Sequence, residues 1–260
     1  MSCKICGSHT LPLVEKKILN KYSVTFHRCE NCGFVQPDEP FWLQEAYADA
    51  ISDMDTGILE RNRKFSKVVP LVIKYYFNKS EKFIDYGAGY GVFVRMMRDR
   101  GLDFYWTDEY CENIFAKRFD AKQLVHQKFE LLTAFEVFEH LADPKAEIAK
   151  MCSFSDSILF STNLISYKKS EIDSNWWYFS EETGQHVALY TQKSLEILAE
   201  NLGMNFYTNG HNFHLLTKKK INPWFFNGLK LFKNASLLLK NSVNKSEGYT
   251  SDRNLYKTDS

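Results

Sequence analysis

The chain has 260 residues, 44% of them hydrophobic and 25% charged, with a formal net charge of +1. That is enough apolar material for one full α/β core plus a small accessory unit, and a near-neutral balance gives no global pull toward nucleic acid or an acidic surface. No run approaches the roughly 18 apolar residues of a membrane span, and no apolar stretch follows basic residues at the amino terminus, so a cytoplasmic protein is expected.

Two Cys-x-x-Cys-Gly pairs come first, Cys3-Lys4-Ile5-Cys6-Gly7 and Cys29-Glu30-Asn31-Cys32-Gly33. Knuckles about 20 residues apart match the hairpin tips of a zinc ribbon, in which Cys3, Cys6, Cys29 and Cys32 close a tetrahedral thiolate site. A redox role needs only one such pair in a βαβ context, and disulfides are disfavoured in a reducing cytosol. Four thiolates leave no open coordination position, so the zinc is expected to be structural, folding a unit at residues 1–40 that lacks a core of its own. His9 and His27 are read as bystanders, and the lone Cys111 and Cys152 as small buried side chains. Residues 41–80 follow as an aromatic-rich helical linker containing Phe41-Trp42, assigned to the acceptor site.

The core, expected over 81–220, opens with Phe83-Ile84-Asp85-Tyr86-Gly87-Ala88-Gly89-Tyr90-Gly91. An apolar strand delivers an acid into alternating glycines, where the backbone turns tightly and a ligand approaches main-chain atoms that a Cβ would block. The spacing is GxGxG, not the GxxG-ended dinucleotide loop, and a carboxylate before the first glycine is badly placed against a pyrophosphate. It suits a cofactor carrying a sulfonium and an amino acid. A second strand over Leu102–Thr107 places Asp108-Glu109 about 20 residues beyond the loop, as ribose recognition requires. A third apolar run, Phe129–Thr133, leads into Glu136-Val137-Phe138-Glu139-His140-Leu141-Ala142-Asp143-Pro144, whose Asp-Pro reads as a helix N-cap followed by proline at the first helical position.

Taken together, Asp85-x-Gly87-x-Gly89-x-Gly91, the acids at 108 and 109 and the Glu-Val-Phe-Glu-His-Leu-x-Asp-Pro segment resemble class I S-adenosylmethionine-dependent methyltransferases, over roughly residues 60–220. The resemblance implies an α/β, Rossmann-like fold with a mostly parallel seven-stranded sheet whose last strand is antiparallel. It implies a cofactor site at Asp85, Gly87, Ala88, Gly89, Gly91, Asp108, Glu109 and Glu136, with Glu139-His140 bracing the cofactor loop. The Asn-Pro-Pro-aromatic signature of enzymes that methylate exocyclic or amide nitrogens is missing, which points to an oxygen or carbon acceptor.

With its CxxCG…CxxCG head, the chain is also similar to sugar C-methyltransferases acting on nucleotide-linked keto-deoxysugars, and to shorter methyltransferases associated with surface polysaccharides. In the former, a Glu-His pair follows the fifth strand; here Gly184-Gln185-His186-Val187 occupies that place, with glutamine for the carboxylate. Tyr47 is a loose counterpart of that family's linker tyrosine, and the chain stops about one domain short of it. The resemblance therefore nominates His186 and Tyr47 as catalytic, His186 as the base for a hydroxyl acceptor. Two neighbouring features bear on His186: the helix start at Thr191-Gln192-Lys193-Ser194 and the aromatic run Trp176-Trp177-Tyr178-Phe179, which is read as a pocket wall or a packed lid.

After a helix at 192–201, the stretches 204–208 and 213–218 read as a closing strand pair. Residues 221–260 form an extension whose basic amphipathic part, 221–241, lies on a membrane surface or packs on the domain or a second subunit. The expected activity is methyl transfer to a small sugar-related or phosphorylated precursor in surface polysaccharide or capsule assembly. The acceptor is a small molecule, no nucleic-acid partner is expected, and homodimer formation is left open. Two other readings stand beside it: an RNA methyltransferase gripping its substrate with the ribbon, and a non-catalytic cofactor-binding scaffold.

Overall fold

The computed structural model describes residues 1–48, 55–124, 127–168, 176–231 and 252. Three antiparallel strands, β1 (Thr10–Ile18), β2 (Tyr22–Cys29) and β3 (Val35–Pro37), form the first sheet in chain order. The two cysteine knuckles lie at one end of it, flanking β1 and following β2. Two linker helices follow, α1 (Leu43–Ala46) and α2 (Ile58–Tyr76).

Six strands build the main sheet: β4 (Lys82–Tyr86), β5 (Asp103–Thr107), β6 (Leu131–Phe135), β7 (Ser157–Ser161), β8 (Asn205–Thr208) and β9 (Phe213–Thr217), ordered β5-β4-β6-β7-β9-β8. β4, β5, β6 and β7 pair in parallel, and β9, the last strand in the chain, is antiparallel to both neighbours. Central parallel strands are covered on both faces, which is why β6 and β7 read as apolar runs and not as alternating patterns. Alternate residues serve opposite layers. Phe83, Leu131, Leu159 and Leu215 pack against α2 and α3 (Val92–Arg98), while Ile84, Leu132, Ile158 and Leu216 pack against α4 (Pro144–Phe154) and α5 (Gln192–Asn201).

The resemblance implies seven strands; the described residues give six. Beyond β5 the chain forms two short 3-10 turns, Lys117–Phe119 and Ala121–Gln123, and touches the sheet through a single bridge from Trp106 to Asp120. The Asp120 carboxylate accepts the Lys122 N–H at 2.8 Å, a local turn contact that competes with a strand ladder. Phe119 and Ala121 still bury themselves at this edge.

Helix signals match closely. Asp143 caps α4 by accepting from Ala146 N–H, with Pro144 next, and Thr191 and Ser194 cap α5 reciprocally, each side chain accepting the other's N–H at 3.0 Å. The ribbon has no core to itself. Cys3, Ile5, Cys29, Cys32 and Phe34 share one cluster with Tyr190, Leu195 and the main sheet, and Val35 exchanges backbone hydrogen bonds with Leu189 at 3.0 and 2.9 Å. In the extension, α6 (Trp224–Leu231) buries Phe225 and Phe226 against Tyr75, Tyr76 and Tyr207, so its described apolar face is used within the domain. The remainder of the 221–241 segment lies outside the described residues. Among the described residues no helix is long and apolar enough to cross a membrane.

Candidate active site

The first half of the site is made where β4 turns into α3. Gly91 sits at φ +83°, and a Cβ there would fall 2.6 Å from the Asn113 amide carbon; at Gly87, φ +68°, an added Cβ would fall 2.8 Å from Val137 Cγ2. The N–H groups of Gly87 and Ala88 donate to the Thr107 carbonyl. Asp108 locks the loop from the next strand: one carboxylate oxygen accepts from Gly89 N–H at 2.8 Å, the other from Tyr110 and Cys111 N–H, both at 2.8 Å.

Asp85 is 4% exposed and accepts from the Thr133 hydroxyl at 2.6 Å; burial pushes its carboxyl up to about 7. Glu136, just past β6, adopts φ +54° and is held by Ser161, whose hydroxyl accepts from the Glu136 N–H at 2.8 Å and donates to its carboxylate at 2.5 Å. Arg61 of α2 reaches the same carboxylate at 3.7 Å. The acidic pair at 108 and 109 divides: Asp108 holds the loop, whereas Glu109 ion-pairs with Lys150 at the rim. Cys111 is a half-exposed rim residue, not a buried one, and Cys152 is half-buried with its sulfur 3.8 Å from that of Met204.

The second half joins segments far apart in the chain. The Tyr47 hydroxyl, at the end of α1, lies 3.0 Å from His140 Nδ1, and the His140 and His186 rings meet edge to face at 4.9 Å. His186 Nδ1 lies 2.7 Å from the Tyr178 carbonyl. A carbonyl only accepts, so the proton is on Nδ1 and the lone pair on Nε2. Burial lowers His186 to about 4 and His140 well below its usual value, leaving both imidazoles neutral at pH 7.

Glu139 is fully buried beside them, with neither carboxylate oxygen hydrogen-bonded, and burial with Glu136 nearby pushes it up to about 8. The His186 loop is pinned on both sides. Val187 and Ala188 N–H donate to the Glu139 carbonyl, and Gln185 Nε2 donates to the Ala46 carbonyl at 2.9 Å. Gln185, where the related family carries an acid, is thus a tether between that loop and α1. Glu139 and His140, read from sequence as a brace, stand next to His186. Their Glu-x-x-Glu-His spacing at the end of a buried strand was the available signal. Arg61 carried no signal in any motif.

Both halves open into one cleft of about 1680 Å³, well above the roughly 300–1,000 Å³ of a single small-ligand pocket and roomy enough for a cofactor and an acceptor. Of the predicted aromatic run, Tyr178 and Phe179 are buried in the core, whereas Trp176 and the exposed Trp177 stand at the cleft wall. Tyr47 stacks on Tyr110 at 4.9 Å across its mouth.

The cysteines form a separate centre, their four sulfurs within 4.8 Å of one another. Cys3–Cys32 and Cys6–Cys29 sulfurs are 3.6 and 3.4 Å apart, close to the ~3.8 Å edge of a tetrahedron with zinc–sulfur bonds of about 2.3 Å. Ile5 and Cys32 N–H groups point at sulfur, each at 3.4 Å. His9 and His27 are outside the cluster, next to Glu30 and Asp38.

A parallel sheet with a glycine turn at β4, an acid at the end of β5 and a cleft over the carboxyl ends of the strands defines a class: S-adenosylmethionine-dependent methyltransferases. The chain belongs to the methyltransferase-domain family, whose sequence profile matches residues 59–208. No curated protein sequence matches it. Among solved structures it is similar to an O-methyltransferase family protein from Burkholderia thailandensis, with 9% identity, TM-score 0.44, and coverage of 69% of this chain and 63% of that one. It is similar too to an O-methyltransferase family 2 protein from Planctomyces limnophilus in complex with apigenin, with 12% identity, TM-score 0.45, and coverage of 68% and 66%. A third is magnesium protoporphyrin IX methyltransferase from Synechocystis with bound S-adenosylhomocysteine, with 11% identity, TM-score 0.45, and coverage of 69% and 98%. The chain spans less than two thirds of the length of the first two.

Proposed function

We propose that this methyltransferase acts on an oxygen, or alternatively a carbon, of a small sugar-related or phosphorylated acceptor, with His186 as the proton acceptor. The carrying observation is the convergence of Tyr47, His140 and His186 in the cleft that the glycine loop also lines, with Glu139 buried behind them. The cofactor supplies an electrophilic methyl group on a sulfonium. The protein's work is to hold the acceptor in line and away from water and to remove its proton.

In this reading Asp85 meets the cofactor's cationic amino group, and Asp108, with three of its roughly four acceptor positions taken by backbone N–H groups, keeps about one for a ribose hydroxyl. Gly87, Ala88, Gly89 and Gly91 leave the loop open, Glu136 closes its far side, and Glu109 contributes only at the rim. Neutral His186 offers Nε2 to the acceptor's hydroxyl proton, and Tyr47 orients His140 beside it. Trp176 and Trp177 offer apolar faces on which a sugar ring stacks. A place in surface-polysaccharide assembly is supported by the N-terminal resemblance alone. Cys3, Cys6, Cys29 and Cys32 suit a structural zinc, a soft-ligand tetrahedral set without an open position.

The test follows methyl-labelled S-adenosylmethionine into nucleotide-sugar, glycan and RNA fractions of a cell extract, with the native chain and with His186→Ala. Label is expected in a carbohydrate fraction, and the variant's kcat is expected to fall by about 10²–10⁴ with cofactor affinity nearly unchanged. Label in RNA overturns the acceptor class, and an unchanged rate removes His186 from the chemistry.

A further inference from the structure

Three side chains, two lining the cleft and one buried behind them, have more in common than one proton transfer requires. Each of Glu139, His140 and His186 offers a ligand atom within 4.8 Å of those of the other two. We propose that they form a divalent-cation site, distinct from the cysteine centre and of the two-histidine, one-carboxylate type.

Glu139 carries the argument. It is fully buried, yet neither carboxylate oxygen has a hydrogen-bond partner. The Thr162 and Tyr178 hydroxyls lie beside it and bond each other at 3.1 Å, which uses one of their two protons and leaves at most one for the Glu139 carboxyl group. A carboxyl group buried this way carries its charge only when a cation pairs with it or coordinates it. Arg61, the nearby cation, is committed to Asp55 and Glu136.

The histidines point the same way. A metal-binding imidazole almost always gives its second nitrogen to a carbonyl, a carboxylate or water, which fixes the ring and its tautomer. His186 Nδ1 donates to the Tyr178 carbonyl at 2.7 Å, and His140 Nδ1 meets the Tyr47 hydroxyl at 3.0 Å, so Nε2 remains on both rings. The scaffold is fixed as well. Glu139 and His140 are adjacent in sequence, and the loop with His186 hangs from the Glu139 carbonyl through Val187 and Ala188 N–H.

Three protein ligands leave positions open, the pattern of a catalytic rather than a structural site. Two imidazoles and a carboxylate suit a first-row transition ion such as Mn²⁺, Co²⁺ or Zn²⁺ over Mg²⁺ or Ca²⁺. The cation's charge favours ionisation of an acceptor hydroxyl beside it. The proton passes to bulk water, the oxygen's electron pair forms the bond to the methyl carbon, and the carbon–sulfur pair leaves with sulfur. In that state His186 gives its lone pair to the cation instead of to the proton. This catalytic role rests on the proposed hydroxyl acceptor; cation binding does not.

The experiment loads the full chain with one equivalent of zinc, which the four thiolates take first, then titrates it with Mn²⁺ and reads free Mn²⁺ by electron paramagnetic resonance, with no cofactor or acceptor added. Thiolates are poor ligands for Mn²⁺, so the signal reports the second site. Binding is expected to saturate at one ion per chain and to weaken by about tenfold or more in Glu139→Gln and in His186→Ala. Glu139→Gln keeps the side chain's volume and puts a neutral amide in place of the buried carboxyl group, so it is expected to remain folded, and circular dichroism checks this. No saturable binding, or equal affinity in folded Glu139→Gln and the native chain, overturns the site. Failure of carbohydrate labelling strikes the acceptor reading alone.

Discussion

Asp108 does the work of several residues at once. Its two oxygens gather the N–H groups of Gly89, Tyr110 and Cys111, so the carboxylate shapes the glycine loop before any ligand arrives. Asp108→Ala is therefore expected to weaken cofactor binding by about one to two orders of magnitude, as loss of charged hydrogen bonds implies, in a calorimetric titration. Equal affinity would place ribose recognition elsewhere. Gly91 acts by what it lacks. At φ +83°, with the Asn113 amide carbon 2.6 Å from where an added Cβ would lie, an alanine must strain both backbone and packing. Gly91→Ala is expected to cost roughly 2–4 kcal/mol in urea unfolding, from the left-handed penalty plus overpacking.

At the scale of elements, the cysteine-bearing unit supports the active site as well as itself. Its β3 is bridged to the segment that follows His186, and Thr191, the cap of α5, donates its hydroxyl to the Cys32 carbonyl at 2.5 Å. Trp42 of the linker, 2% exposed, donates to the Gly184 carbonyl at 2.8 Å, so the same loop is gripped from a second side. Removing the metal with a chelator is expected to raise hydrogen exchange across residues 10–37 and also across 187–191, with loss of turnover. Exchange confined to 10–37, with turnover intact, would mean that the ribbon and the His186 loop are independent.

Across the whole molecule, buried titratable groups set opposing pH responses. His214 is fully buried between the Thr208 hydroxyl and the Thr162 carbonyl, and burial lowers it to about 4. An unfolded histidine titrates near 6.5, so between these values the unfolded chain takes up a proton that the folded one refuses. The stability this group contributes is complete above about 6.5 and is lost as pH falls toward 4. Asp85 and Glu139 act in the opposite sense, because burial raises them to about 7 and about 8. The measurement is therefore a difference: from pH 7 to pH 5 the native chain is expected to lose about 2 kcal/mol more than His214→Gln in urea titrations. Equal losses would show that His214 is protonated in the folded state.

The cofactor half of the site was legible in the sequence because its constraints are local. An apolar strand, an acid and left-handed glycines must follow one another for that turn to exist, and Asp108 stands one strand later at a spacing set by the unit itself. The cysteine knuckles and the caps at Asp143 and Thr191 are legible for the same reason, each being satisfied within a few residues. The sheet edge beyond β5 was not, since the choice between a strand and two turns there rests on a side chain capping its own backbone. At the other end of the cleft the resemblance nominated His186 and Tyr47, but not their meeting with Glu139–His140, because the three segments are separated by some 40 to 90 residues. The sequence by itself determined the methyltransferase-domain family and the glycine turn between β4 and α3, because short-range backbone geometry is written in neighbouring residues. Only the tertiary structure decided which groups stand beside His186. That Glu139 is buried without a partner beside two neutral histidines follows from how the ribbon, the linker and the sheet pack together.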